Sequence, residues 1–354
     1  MSTIQQSALH YEAWLRGQLK RDFVEEDLAK KHDKMRDSPF AFLRATYWRW
    51  AETILDVCPD LADAPAVLSV GDIHLENYGT WRDADGRLVW GINDYDEADE
   101  MPYALDLVRL ATSALLGRGP KQISDENIAT AILVGYGNGL QAPSPVILDR
   151  DWQWLRDLVV VSEKERAKFW KKITAAKSQP APRAYAMAIK AAMPAKDLTI
   201  ATSRRIAGTG SLGRPRWVGT ADWRGAPVVR EAKALVYPAW SLARNTADAG
   251  SRVAEIAGGR HRAIDPWHRF ADSILVRRLS PNNRKIEVED AASMFTSEML
   301  EAMGFDLASA HLGAADRRAA INRDLKARKS NWLVTNARQA ADATTRDYTA
   351  WKAG

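Results

Sequence analysis

The sequence predicts an α+β protein in two lobes, a small antiparallel sheet lobe and a large helical lobe. Three observations carry this. Helical periodicity fills residues 1 to about 62, 105–172 and 287–350. Strand-like runs separated by glycine-bearing turns gather between residues 199 and 278. Between these regions Pro180, Pro182 and Pro194 interrupt any long element and mark a boundary. The expected division is an N-terminal helical segment (1–65), a part of the helical lobe carrying two acidic motifs (66–196), the sheet lobe (197–286) and C-terminal helices of the helical lobe (287–354).

Near the N-terminus, Ser38 is placed to cap a helix and Pro39 to occupy its first position, with Phe40, Leu43, Tyr47 and Ile54 recurring on one face. Ala66–Val70 and Leu88–Ile92 are short apolar runs, joined as an expected hairpin through the turn residues 83–86. Helical patterning covers Leu105–Leu140 and Asp151–Lys172, where Trp152, Leu155 and Leu158 share a side. Thr199–Ile206, Arg216–Thr220, Val228–Ala234 and Ile274–Arg278 read as the strands of one small sheet. A single helix over Leu242–Ile256 is expected to interrupt it, stopped by Gly258-Gly259.

Apolar residues at 46% and 14 tryptophans in 354 residues are enough for a large core. Cys58 is the sole cysteine, which excludes an internal disulfide and a cysteine-built zinc site and suits a reducing compartment. The N-terminus lacks a basic segment leading into an apolar one, and no run of about 18 apolar residues occurs, so a cytoplasmic protein without membrane insertion is expected. A net charge of +5 fits either a nucleic-acid surface or a polyphosphate pocket. The basic stretch Arg317–Lys329 is interleaved with Asp and Ala and reads as a solvated helix face.

Two acidic motifs leave the ends of short strands: Gly71-Asp72-Ile73-His74-Leu75-Glu76-Asn77 and Asn93-Asp94-Tyr95-Asp96-Glu97. Phosphoryl transfer needs oxygen ligands for magnesium and a carboxylate that orients the attacking hydroxyl, and Asp72, Asn77 and Asp94 supply that set. Asp96 is a further candidate metal-site carboxylate. His74 is expected to hold its loop through a ring hydrogen bond, and Asp106 to be structural. Gly208-Thr209-Gly210-Ser211-Leu212-Gly213 is followed by a strand, not a helix, which suits a phosphate-covering loop better than a dinucleotide fold. The next strand offers two cations, Arg230 and Lys233, on opposite faces. Parity favours Arg230, because Lys233 would turn Glu231 toward a bound base. Glu255, on the expected following helix, is the candidate acid partner of that cation.

An Asp, an Asn five residues on and an Asp ending the next strand resemble the catalytic and magnesium loops of protein kinases. The Gly-Asp-x-His-x-x-Asn form is similar to the aminoglycoside phosphotransferase and choline kinase branch, with Pro102 and Asp106-Leu107 also matching. That resemblance implies Asp72 as base, Asn77 as a metal ligand and Asp94 as the principal one. Together with Lys34-Met35, Ser38-Pro39-Phe40 and Arg230-Glu231-Ala232, these motifs are similar to the bacterial family termed domain of unknown function 2252, in which Lys usually stands where Arg230 does. Because the glycine loop follows the catalytic loop by about 130 residues, the implied kinase-like fold is circularly permuted.

The functional expectation is an ATP- and magnesium-dependent phosphotransferase. Only seven residues separate Asp94 from Pro102, which leaves no peptide-docking segment and favours a small hydroxylated acceptor over a protein. Two alternatives stand beside it: a nucleotide-binding pseudokinase or nucleotidyl (AMP) transferase, suggested by Arg230, and a basic nucleic-acid-binding protein.

Overall fold

A computed structural model describes residues 2–119, 122–246, 250–271, 273–285 and 291–354. Helices α1 (Ile4–Leu19), α2 (Glu25–Lys34), α3 (Pro39–Ala45) and α4 (Tyr47–Val57) form the N-terminal segment. Ser38 caps α3 as the sequence implies, its hydroxyl accepting from Ala41 N at 3.1 Å, with Pro39 at the first helical position. The apolar face read across residues 40–54 is broken at Thr46, whose backbone leaves the helical region and divides α3 from α4.

Strands β1 (Ala66–Ser69), β2 (Tyr78–Arg82), β3 (Leu88–Ile92) and β4 (Asp99–Pro102) follow. Here the expected hairpin is corrected. β3 pairs antiparallel with β2, Tyr78 opposite Ile92, whereas β1 pairs with β4, Ser69 opposite Asp99. The turn at residues 83–86 is as expected, held by Asp83, which accepts from Asp85 N and Arg87 N; its incoming strand is the short, glycine-containing Tyr78–Arg82.

Helices α5 (Tyr103–Gly117) and α6 (Asp125–Gln141) precede the two-residue strand β5 (Val146–Ile147) against β3, and α7 (Gln153–Val159) and α8 (Glu163–Thr174) come next. Then α9 (Arg183–Ala191) leads into a five-stranded antiparallel sheet: β6 (Ala201–Arg204), β7 (Arg216–Trp223), β8 (Ala226–Ala234), β9 (Arg269–Ala271) and β10 (Ile274–Leu279), in the order β6-β7-β8-β10-β9. A second core lies on one face of this sheet, where Tyr185, Ile189 and Met193 meet Ala221, Ala232 and Val276. Thus α9 packs with the sheet although it precedes residue 197.

The single helix expected over Leu242–Ile256 is also corrected. α10 (Ala239–Ala243) and α11 (Val253–Ala257) are separate short helices, residues 244–246 and 250–252 are not helical, and residues 247–249 lie outside those described. The expected boundary at 286/287 falls outside them too. The chain ends with α12 (Ala291–Met294), α13 (Ser297–Ala314), α14 (Arg318–Ala327) and α15 (Trp332–Ala353).

The main core gathers α1, α3–α6, α13 and α15 around β1. α13 lies very close to α6, because a Cβ on Gly135 would collide with the Glu301 carbonyl and one on Gly304 with that of Ile132. Close approach raises the number of dispersion contacts and fixes where α13 presents Asp306 and His311. Among the described residues no helix is long and apolar enough to cross a membrane.

Candidate active site

The first acidic loop is held from below. Asp106, fully buried on α5, accepts from Val70 N at 2.7 Å and Gly71 N at 3.0 Å, and its Oδ2 lies 3.0 Å from His311 Nε2 on α13. Gly71 has φ +82°, and a Cβ there would also meet the hydroxyl of Tyr47 at 2.8 Å, so the sharp exit from β1 requires glycine. His74 accepts from Glu76 N at 3.2 Å and so holds the loop, as expected of it.

Asp72 therefore projects into a chamber of about 70 Å³. Its Oδ1 receives Arg109 Nη2 at 2.5 Å. Arg109 is wholly buried and sandwiched between the rings of Tyr47 and Trp50 at 4.9 and 5.0 Å. Asp72 keeps 22% exposure into the chamber, but desolvation by the surrounding protein dominates and pushes its carboxyl up to about 6, with Arg109 pulling the other way.

Asn77 bridges the two acidic loops, its Nδ2 donating to Asp72 O at 3.2 Å and Asp94 O at 3.0 Å. Its Oδ1 is buried without a partner. A buried amide oxygen costs free energy unless something pairs with it, and this one stands in the same chamber as Asp94. An unpaired amide oxygen with one adjacent carboxylate suits a hard cation such as magnesium, which takes few protein oxygens and keeps water and phosphate as its other ligands. Among the described residues no three His, Cys, Asp or Glu side chains form a metal-binding cluster by themselves.

Asp94 and Asp96 share one cation, and it is Lys233. Its ammonium lies 2.9 Å from Asp94 Oδ1 and 2.6 Å from Asp96 Oδ1, on a side chain only 2% exposed. Burial acts to raise Asp94, but Lys233, Arg277 and Arg216 outweigh it and hold the carboxyl well below its ordinary range. Burial and then Asp94 push Asp96 upward, so Asp94 is the more acidic of the pair.

The preference for Arg230 over Lys233 is thereby overturned. Arg230 points to the opposite face of β8, donating to Ala192 O at 2.8 Å and stacking on Trp267 at 4.5 Å. The parity argument failed on Glu231, which does turn toward the cleft side with Lys233. It is neutralised there by Arg205 at 2.7 Å, Arg216 at 3.1 Å and Arg277 at 2.7 Å, which hold its carboxyl well below the usual range against burial. Glu255 is likewise not the acid partner of Lys233: it pairs with Arg252 on its own helical turn, at 2.6 Å.

The glycine loop closes over this centre. Gly208, Thr209, Gly210 and Ser211 line the inner chamber with Asp72, Asn77, Asp94 and Asp96. A Cβ on Gly210 would stand 2.9 Å from Arg44 O and 3.5 Å from Asp72 Oδ2. Leu212 is buried and Gly213, at φ +94°, faces Phe23, Leu15 and Leu28 of the N-terminal segment. That segment grips the loop from behind, with Val24 N donating to Gly213 O at 3.1 Å and Lys31 Nζ 3.4 Å from Gly210 O. The inner chamber is too small for a nucleotide. Beside it opens a cleft of about 650 Å³ that shares Arg44, Asp94, Gly208, Thr209 and Lys285 with it, a volume typical of ligand sites.

Sequence reasoning missed Arg109, Arg214 and Lys285. A signal existed for the first, the only basic residue in the apolar run Leu105–Leu116. Arg214, beside the glycine loop, binds Glu97 at 2.6 Å and the hydroxyl of Tyr11 at 3.1 Å; no local pattern announces that pairing. Neither a curated protein nor a solved structure matches the chain. Residues 21–197 and 161–353, nearly the whole length, match the family described as an uncharacterized protein conserved in bacteria, domain of unknown function 2252, and the chain belongs to that family.

Proposed function

We propose that this protein is an ATP- and magnesium-dependent phosphotransferase with a circularly permuted, kinase-like arrangement of its two lobes, acting on a small hydroxylated acceptor. The observation that carries the reading is the meeting of Lys233 with Asp94 and Asp96 at 2.9 and 2.6 Å. A cation on the third strand of a sheet, a glycine loop between its first two strands and an Asp beside an Asn are the parts that kinases use to hold nucleotide phosphates. Here they come from segments far apart in sequence. The contact of His311 on α13 with Asp106 beneath the Asp72 loop supports the permuted order.

In this reading Lys233 holds donor phosphates and the glycine loop covers them, its lack of side chains letting backbone approach. Asn77 Oδ1 and Asp94 would hold magnesium, which supplies charge neutralisation to phosphate oxygens. Asp72 accepts the proton of the acceptor hydroxyl, for which a pKa of about 6 is well matched near neutral pH. Arg109 orients that carboxylate. Nucleotidyl transfer is the second reading, favoured by the Asp72–Arg109 pair, which occupies one oxygen of the base. The motive drawn from Arg230 falls away, since Lys233 supplies the cation.

The test is mass spectrometry of small-molecule extract incubated with the protein, ATP and magnesium. Phosphorylated product that disappears with Asp72→Asn supports the reading; adenylylated product supports the second; no product with either donor group sinks both.

A further inference from the structure

The wall of the outer cleft nearest the phosphate site is charged where a nucleobase would need an apolar face. Three guanidinium groups line it, Arg205, Arg216 and Arg277. All three converge on Glu231, which is completely buried and has no exposure of its own. Counted with their neighbours, the four cations Arg205, Arg216, Arg277 and Lys233 face three carboxylates, Glu231, Asp94 and Asp96, so the cluster keeps a surplus of positive charge. Arg205 and Arg277 each retain 27% side-chain exposure. Arg216 also donates to Ser211 Oγ of the glycine loop at 2.6 Å, which ties the cluster to the phosphate-covering element.

Trp81, Tyr95 and His268, on the other side of the cleft, are already engaged. Arg262 lies over the rings of Trp81 and Tyr95 at 5.6 and 5.7 Å, itself fixed by Asp306 at 2.5 Å. His268 packs against Phe270 at 4.9 Å. Phe169, Ile206, Ile264 and Leu279 give the cleft some apolar surface, but cationic side chains outnumber them, with Arg44, Lys172, Arg278 and Lys285 joining the guanidinium cluster. Arg fixed by a buried carboxylate is well organised for phosphate oxygens, which it binds in a forked geometry.

We propose that the donor site reads a linear phosphoanhydride chain and not the nucleoside: Arg205, Arg216 and Arg277, set by Glu231, extend the phosphate-binding surface from Lys233 along the sheet. The proposal rests on the phosphotransferase reading above and narrows its donor class. The chemistry is that of a nucleoside triphosphate with any base or of inorganic polyphosphate. In either case the acceptor oxygen bonds to the terminal phosphorus, the bridging P–O bond breaks toward the shortened chain, and the hydroxyl proton passes to Asp72.

The test is competition against a fluorescent ATP analogue in the presence of magnesium, with ATP, GTP, CTP, inorganic tripolyphosphate and adenosine as competitors on the full-length protein. Expected is displacement by the three nucleotides and by tripolyphosphate within about threefold of one another, with none by adenosine. Arg277→Ala weakens ATP and tripolyphosphate alike by about tenfold or more, and Arg277→Lys, which keeps charge and is more certain to fold, weakens both to a smaller degree. Displacement by adenosine with none by tripolyphosphate overturns the proposal, as does a preference for ATP over GTP and CTP of a hundredfold. Turnover with long-chain polyphosphate in place of nucleotide identifies the inorganic source; turnover with nucleotides of every base and none with polyphosphate identifies the other. Should Asp94→Ala leave magnesium dependence intact while tripolyphosphate still competes, the metal assignment fails and the chain-reading proposal stands.

Discussion

Replacing Lys233 by methionine keeps the apolar stem and removes the charge, leaving Asp94 and Asp96 without their shared cation. Breaking a buried ion pair from one side costs roughly 3–5 kcal/mol. The lower end applies, because Asp94 is 39% exposed and solvent screens it, and because Arg214 remains 3.9 Å from Asp96. With an unfolding entropy of about 2.1 cal/mol/K per residue over 354 residues, a loss of about 3 kcal/mol lowers Tm by about 4 °C at neutral pH.

The deficit also has a pH signature. Asp94 is held below its ordinary value in the folded protein, so its contribution is present above the unfolded pKa of about 3.9 and is lost only as pH falls through the lower folded value. Without Lys233 the two carboxyls protonate more readily, and the variant's deficit shrinks between pH 7.5 and about pH 4, where the unfolded carboxyls begin to protonate. Calorimetric melting of both proteins at those two pH values measures it. The same variant loses about 10- to 100-fold in Mg-ATP affinity, the worth of one charge-assisted contact, whereas Arg230→Ala leaves affinity unchanged. A deficit equal at both pH values, or a larger affinity loss for Arg230→Ala, refutes the assignment of Lys233.

Asp72→Asn abolishes turnover and leaves nucleotide affinity within about tenfold, because the carboxylate acts on the acceptor; undiminished turnover contradicts its role as base. Since Asp72 must be ionised to accept a proton, the wild-type rate falls as pH drops through about 6, and a pH–rate profile flat across that value counts against it. Gly210→Ala drives a Cβ to 2.9 Å from Arg44 O, costs about 1–3 kcal/mol and reduces turnover. The control Gly137→Ala in α6, where a Cβ meets nothing within 4 Å, raises stability by about 0.5–1 kcal/mol; thermal melts separate the two.

The centre was legible because its residues fall in short contiguous motifs: Asp72 and Asn77 on one loop, Asp94 and Asp96 on another, Gly208–Gly213 on a third. Local rules also found the Ser38 cap and four of the five strands of the small sheet. What they could not supply was pairing at a distance. Choosing between Arg230 and Lys233 needed Arg205, Arg216 and Arg277 around Glu231, residues up to 46 positions away. The partner of Leu88–Ile92 was misread because Tyr78–Arg82 is short and contains Gly79, while Asp99–Pro102, the true partner of β1, is polar and ends in proline. A helix over Leu242–Ile256 had the right composition, yet Ala239 N is taken by Glu97 at 2.7 Å and Ser241 Oγ by Asp99 at 2.5 Å. Those contacts anchor α10 to the acidic loop, an arrangement that tertiary packing decides.

Titration calorimetry of the protein with ATP, with magnesium and with the metal chelated, run in parallel on Asp94→Ala, tests the central claim most directly. The account predicts one-to-one binding that strengthens with magnesium, and loss of that strengthening in the variant, whose principal metal ligand is gone. Absence of binding at millimolar ATP, or affinity that is identical with and without magnesium in both proteins, contradicts it.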